Sequence, residues 1–162
     1  LRKIMWQVGD YTITLTDVPD DEDKSFLSEQ IRSFNNVVSP HHLAIRAAGV
    51  QTLNVLMRDA QGAIAAGLAG STYWGWLEVD KLWIGAPLRG QGYGRRLLLA
   101  AETEARQRSC TRVFLRTFSF QARGFYEKQG YRVVGQLDDY PPGEAFYWLR
   151  KDFVPVTQGE SR

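Results

Sequence analysis

The sequence predicts an α+β fold, a mixed but mostly antiparallel sheet of about seven strands flanked by helices. Three observations carry that expectation. Stretches with apolar residues at alternate positions recur along the chain, bounded by glycine, proline and aspartate. Between them, other stretches repeat apolar residues at helical spacing. The resulting order is strand, helical region, three strands, helix, strand, helix and two strands.

Residues 4–8 and 11–16 flank Gly9-Asp10, and Tyr11, Ile13 and Leu15 alternate with threonines. This is a strand pattern, one arm of a hairpin with a glycine-first turn. Pro19 and the acids Asp20, Asp21, Glu22 and Asp23 stand where a helix begins, and Leu27, Ile31 and Phe34 continue at helical spacing. Residues 36–50 read as irregular, with room for a second short helix. A strand over 52–58 turns at Asp59-Ala60-Gln61-Gly62. Residues 63–84 then read as two long strands, Ala-rich first and aromatic second, with Gly75 at the turn or bulge between Trp74 and Trp76. A helix over 95–108 places Leu97, Ala101 and Ala105 on one face, with Glu102/Arg106 and Glu104/Arg108 as i,i+4 pairs on the other. A strand follows at 112–117. A helix through Tyr126 stops at Gly130, a C-terminal cap. Strands at 131–137 and 145–153 are joined by the loop 138–143, and the tail from Pro155 reads as frayed.

With 162 residues and 44% hydrophobic content, one domain over 1–154 with a short tail, 155–162, is the natural organisation. The net charge of +2 comes from 20 basic and 18 acidic residues, so no basic footprint argues for nucleic acid or a membrane surface. Cys110 is the single cysteine and His41 and His42 are the only histidines, which gives neither a disulfide framework nor a metal site. No apolar run approaches the ~20 residues of a membrane span, and the first residues lack a signal-peptide core. A cytoplasmic protein without a metal is the expectation.

The most informative stretch is Arg89-Gly90-Gln91-Gly92-Tyr93-Gly94, which runs into the helix at Arg95. Glycine allows close backbone approach to a ligand. The first helical turn leaves N–H groups without partners, carrying partial positive charge. Together they make a phosphate cradle. Gly85 and Gly90 have Walker A spacing, but Gln91 and Gly92 stand where lysine and serine or threonine are required. Gly90, Gly92 and Gly94 give G-x-G-x-G rather than the dinucleotide fingerprint, and the next strand carries Arg112 and Arg116 instead of the acid expected about 20 residues on.

A third pattern fits. Arg89, Gly92 and Gly94 satisfy Arg/Gln-x-x-Gly-x-Gly/Ala at a strand-to-helix junction, after a strand candidate at 81–84 and a break at Ala86-Pro87. Phe125-Tyr126-Glu127-Lys128-Gln129-Gly130-Tyr131 follows one strand and one helix later. On these two segments the chain resembles the GNAT superfamily of acyl-CoA-dependent N-acyltransferases over roughly 4–153, best over 80–131. The resemblance implies an N-acetyltransferase moving an acetyl group from acetyl-CoA to a primary amine by direct attack in a ternary complex. It also implies two splayed strands around the acyl-CoA cleft.

The resemblance also implies roles for individual residues. Trp83 and Ile84 would offer main-chain groups to the pantetheine arm and the thioester carbonyl. Arg89, Gly90, Gln91, Gly92, Tyr93, Gly94 and Arg95 would hold the pyrophosphate. Tyr126 would protonate the leaving thiolate, since a phenol with an ordinary pKa of about 10 is a stored proton at neutral pH. The base would be Glu78 or Asp80, on the strand before the cradle. Many relatives carry a CoA-contacting asparagine after the strand at 112–116; here Thr117 or Ser119 would substitute. Relatives often dimerise through a sheet edge or the C-terminal strands, and the apolar run 145–149 allows a homodimer.

Asp138 and Asp139 are turn formers that can also select a cationic acceptor. The aromatic set Tyr73, Trp74, Trp76, Trp83, Phe146, Tyr147 and Trp148 is part core and part acceptor pocket, open to a cation–π contact. His41 and His42 read as a solvated pair at a helix start. The alternative function is a non-catalytic acyl-CoA-binding sensor or scaffold module. A nucleic-acid reading of the arginines near 89–116 fails on the balanced charge.

Overall fold

The computed structural model describes residues 3–18 and 20–153. Pro19 and the tail from Pro155 lie outside the described residues. The chain divides into two compact units, Leu1–Ala47 and Ala48–Arg162.

In the first unit, β1 (Lys3–Val8) and β2 (Tyr11–Thr16) pair antiparallel from Lys3↔Thr16 to Val8↔Tyr11. Gly9, at φ 58°, takes the left-handed conformation at the first turn position, as the glycine-first turn requires. The two strands satisfy each other as a separate two-stranded sheet. The main sheet therefore has six strands rather than about seven. Helix α1 (Asp21–Val38) starts at Asp20, whose carboxylate accepts from the Glu22 N–H at 2.9 Å, with Asp21, Glu22 and Asp23 in the first turn. Helix α2 (Pro40–Ala48) fills most of the stretch read as irregular. Ser39 Oγ accepts from the His42 N–H and proline occupies the first position, a start that needs no acidic turn.

In the second unit the strand order is β3 (Gln51–Arg58), β4 (Ile64–Tyr73), β5 (Trp76–Ile84), β6 (Arg112–Phe118), β8 (Ala145–Asp152) and β7 (Arg132–Asp138). Asp59 shapes the β3–β4 turn, its Oδ1 accepting from the N–H groups of Gln61 and Ala63. Trp74 and Gly75, at φ 51° and 75°, form the two-residue turn into β5. All pairings are antiparallel except β5–β6. That parallel pair needs a crossover, supplied by α3 (Tyr93–Gln107). β8 is paired on both sides, so the run 145–149 is interior to the sheet and the edges are β3 and β7.

Helix α3 buries Leu97, Leu98, Ala101 and Ala105 against Leu53, Ala66, Leu68, Leu77, Val79, Val113, Leu115 and Leu149. Glu104 pairs with Arg108 as expected, at 2.7 Å. Glu102 does not pair with Arg106. It is 2% exposed and accepts from Tyr131 Oη at 2.9 Å and Lys151 Nζ at 2.7 Å, while Arg106 lies over the Phe153 ring. The apolar stripe is wide enough to carry position 102 inward with it.

Helix α4 (Arg123–Lys128) ends in a Schellman motif. The Tyr131 N–H reaches the Tyr126 carbonyl, the Gly130 N–H reaches the Glu127 carbonyl, and Gly130 sits at φ 87°. Among the described residues no helix is long and apolar enough to cross a membrane.

Candidate active site

The cleft arises where β5 and β6 stop pairing. Their ladder runs from Trp76↔Arg112 to Val79↔Leu115 and no further, although β5 continues to Ile84 and β6 to Phe118. A bulge marks the point of separation. Ala69 pairs with Lys81 and Gly70 with Val79, so Asp80 is the extra residue in β5. A Cβ at Gly70 would stand 2.3 Å from the Glu78 carbonyl oxygen, so this close approach requires glycine. The bulge shifts the inward positions from 77 and 79 to 82 and 84.

Two adjoining cavities occupy the opening. One, of about 440 Å³, lies among Leu82, Ile84, Arg89, Gly94, Phe125 and Tyr126; the other, of about 400 Å³, among Asp80, Lys81, Arg116, Thr117 and Tyr126. Leu82, Trp83, Gln121, Ala122 and Tyr126 line both.

The cradle closes one end. Gly90 and Gly92 have φ values of 74° and 81°, and Gly92 caps α3. The Arg96 N–H is bonded to the Gly92 carbonyl, which leaves the N–H groups of Tyr93, Gly94 and Arg95 as the open first turn. Gly94 lets this turn sit on Phe125, whose ring would be 3.3 Å from a Cβ there. Arg89 is latched to the end of β5, Nε to the Ile84 carbonyl at 3.1 Å. Gln91 turns back, donating to the Pro87 carbonyl at 2.7 Å, and Tyr93 lies under Arg96. Arg95 has no ion-pair partner among the described residues. Open N–H groups with uncompensated arginines fit the diphosphate of a CoA substrate.

Tyr126 is 7% exposed, yet its ring reaches both cavities, and its hydroxyl has no protein partner among the described residues. Burial pushes the phenol above its ordinary range, so it holds its proton throughout neutral pH.

The two candidate carboxylates differ in their surroundings. Glu78 Oε2 accepts from Tyr73 Oη at 2.7 Å and its Oε1 from Arg116 at 3.1 Å; it lines neither cavity. Asp80 lines the second cavity, is 51% exposed at its side chain, and has Lys81 at 3.2 Å and Arg116 at 3.9 Å. Tyr73 is pushed up to about 12 by burial first and then by Glu78.

Ser119 is not brought to the cleft. Its hydroxyl contacts a Glu144 carboxylate oxygen and accepts from the Ala145 N–H. Thr117 does line the second cavity, but donates to Gln121 Oε1 at 3.1 Å. Gln121 carried no motif in the sequence; only the path of the β6–α4 loop places it on both cavities.

His42 Nδ1 is 2.8 Å from Asn36 Oδ1. Asp139, at φ 60°, accepts from the Gly143 N–H, a turn role. The Trp76 ring, in an apolar hollow with Phe114 and Trp148, is flanked by Arg112 and Arg150 at 5.3 and 5.0 Å. Its π surface thus already faces two guanidinium groups.

Known proteins are similar to this chain in sequence and fold. A profile of the acetyltransferase (GNAT) family matches residues 16–131. A blasticidin-S acetyltransferase of Streptomyces morookaense is 38% identical over 76% of this chain and 96% of its own. A crystal structure of an acetyltransferase from Bacillus cereus superposes with a TM-score of 0.75 at 26% identity, covering 86% of this chain and 97% of that one. A Bacillus anthracis structure assigned to streptothricin acetylation, in complex with acetyl coenzyme A, shares the fold at TM-score 0.57 and 18% identity, covering 64% and 63% of the two chains. The match over most of the chain, on a fold whose cleft opens between splayed strands under a glycine cradle, makes this protein a member of the GNAT family and an acyl-CoA-dependent N-acetyltransferase.

Proposed function

We propose that the chain moves the acetyl group of acetyl-CoA directly to a primary amine within a ternary complex, with Tyr126 as general acid. The observation that carries this reading is the Tyr126 hydroxyl, protonated and without a protein partner, in the cleft between β5 and β6. The amine nitrogen bonds to the thioester carbonyl carbon, the carbon–sulfur bond breaks, and the departing sulfur takes the phenolic proton. The proton lost by the amine is taken by a base and passes through solvent back to the Tyr126 phenolate, so the enzyme ends as it began and the products are an amide and free CoA.

In this reading Asp80 takes that proton, directly or through water; that it lines a cavity shared with Tyr126 supports the choice over Glu78. Glu78 serves instead to hold Arg116 and Tyr73. The family match runs across the boundary between the two units, which supports reading 1–154 as one catalytic domain.

Isothermal titration with acetyl-CoA, against NADH and ATP, tests the cofactor assignment. Thiol release across a panel of amines then tests the transfer, with blasticidin S included on account of the 38% identical relative. Acetyl-CoA binding without thiol release from any amine would make the chain a binding module instead.

A further inference from the structure

We propose that Gln121 is a cofactor-binding residue whose side-chain NH2 donates to an amide carbonyl on the pantetheine arm of acyl-CoA. The inference rests on the acetyl-CoA reading above and adds a side chain that no motif marks. Thr117, near the end of β6, and Ser119 and Gln121, in the segment joining β6 to α4, are the polar side chains along this stretch. Two of them are committed to the protein. Thr117, 3% exposed, donates its hydroxyl to Gln121 Oε1, and Ser119 is held by Glu144 and the Ala145 N–H.

Gln121 differs. Its Oε1 accepts twice, from Thr117 Oγ1 at 3.1 Å and from the Phe118 N–H at 3.0 Å. A reversed amide would set its NH2 against the Phe118 N–H, donor against donor, so the bonding itself fixes the oxygen toward β6. The NH2 then has no protein acceptor among the described residues, on a side chain that lines both cavities beside Tyr126. Lining one of these cavities with it are Leu82, Trp83 and Ile84, in the part of β5 that β6 no longer pairs. A ligand threading this opening meets, on one wall, β5 backbone that β6 no longer pairs at Leu82 and Trp83 and, on the other, an oriented amide donor. The chemistry that answers both is a chain of secondary amides.

Titration of Gln121→Glu with CoA and with 3′,5′-ADP, the nucleotide end alone, tests the assignment. Glutamate keeps an oxygen for Thr117 and Phe118 but turns the cleft-facing donor into an acceptor. The expected result is CoA binding weakened about ten-fold with 3′,5′-ADP binding unchanged. Equal weakening of both ligands, as the added charge alone would give, or unchanged CoA binding, overturns the proposal. A measurement on the unmutated protein covers a variant that fails to fold: the Gln121 side-chain NH2 resonances should shift on adding CoA and stay in place with 3′,5′-ADP. A shift with neither ligand, both being bound, overturns it as well. Unmutated protein that binds neither ligand overturns the acetyl-CoA reading itself, which keeps the two failures apart.

Discussion

Glu78 and Arg116 meet at the place where β5 and β6 separate, 3.1 Å apart, one residue beyond the last paired position on β6. A side-chain bridge thus succeeds the backbone ladder and ties the splayed strands at their root. Tyr73 completes the arrangement from the end of β4.

The Tyr73 phenol reports on this bridge. Burial and the Glu78 charge hold it at about 12 in the folded chain, against about 10 when unfolded. Glu78→Gln keeps an acceptor but removes the charge, so Tyr73 should ionise at lower pH, read from near-ultraviolet phenolate absorbance. Because the folded pKa is raised, the folded state binds more protons between pH 10 and 12. The associated stability is fully present below pH 10 and is lost as pH climbs through that window. Chemical denaturation across the same range should show a shallower alkaline loss in Glu78→Gln. Identical titrations would mean that the carboxylate does not act on Tyr73.

Tyr126→Phe should lower kcat about 100-fold while leaving the affinity for CoA within about two-fold. The raised phenol adds a second expectation: the unmutated enzyme should show no alkaline fall in kcat from Tyr126 below pH 10. Steady-state thiol release and calorimetry check both. Equal kcat in the variant would remove Tyr126 from the proton path.

The features legible in the sequence were those written locally. The Gly9-Asp10 turn, the glycine cradle and the Gly130 cap each lie within a few residues of what they shape. So does the Ser39-Pro40 start of α2, yet a nine-residue helix without an acidic first turn left that stretch reading as irregular. The rest is decided at a distance. The bulge at Asp80 depends on Gly70 across the β4–β5 ladder. The inward turn of Glu102 depends on Tyr131 and Lys151, 29 and 49 residues away. Ser119 and Gln121 are both polar loop residues in the sequence. Only the return of β8, which presents Ala145 to Ser119, assigns one to structure and leaves the other to the cleft.

Gly70→Ala should destabilise the fold and impair transfer together. The new Cβ would stand 2.3 Å from the Glu78 carbonyl oxygen, a backbone atom that cannot swing away. Relief means parting β4 from β5 at the bulge, at a cost of about 2 kcal/mol or more. Glu78 and Asp80 would move with the strand. Denaturant midpoints and thiol release should therefore fall together, whereas Gly124→Ala, where an added Cβ meets nothing within 4 Å, should lower neither through steric contact.

Lys151→Met tests the buried cluster on α3. Glu102 has its side chain 2% exposed and its two oxygens divided between Lys151 and Tyr131. Removing the ammonium leaves a buried carboxylate with a single neutral donor, and losing one partner of such a pair costs about 3 kcal/mol. Replacing both charges by Glu102→Leu with Lys151→Met removes the uncompensated charge along with its partner. Much of the lost stability should then return, because a buried ion pair contributes little beyond what well-packed apolar groups supply. Denaturant unfolding of the unmutated chain, the single variant and the double variant checks the order. A double variant less stable than Lys151→Met alone would mean that Glu102 holds Tyr131 and α3 in place by its geometry, independent of the lysine charge.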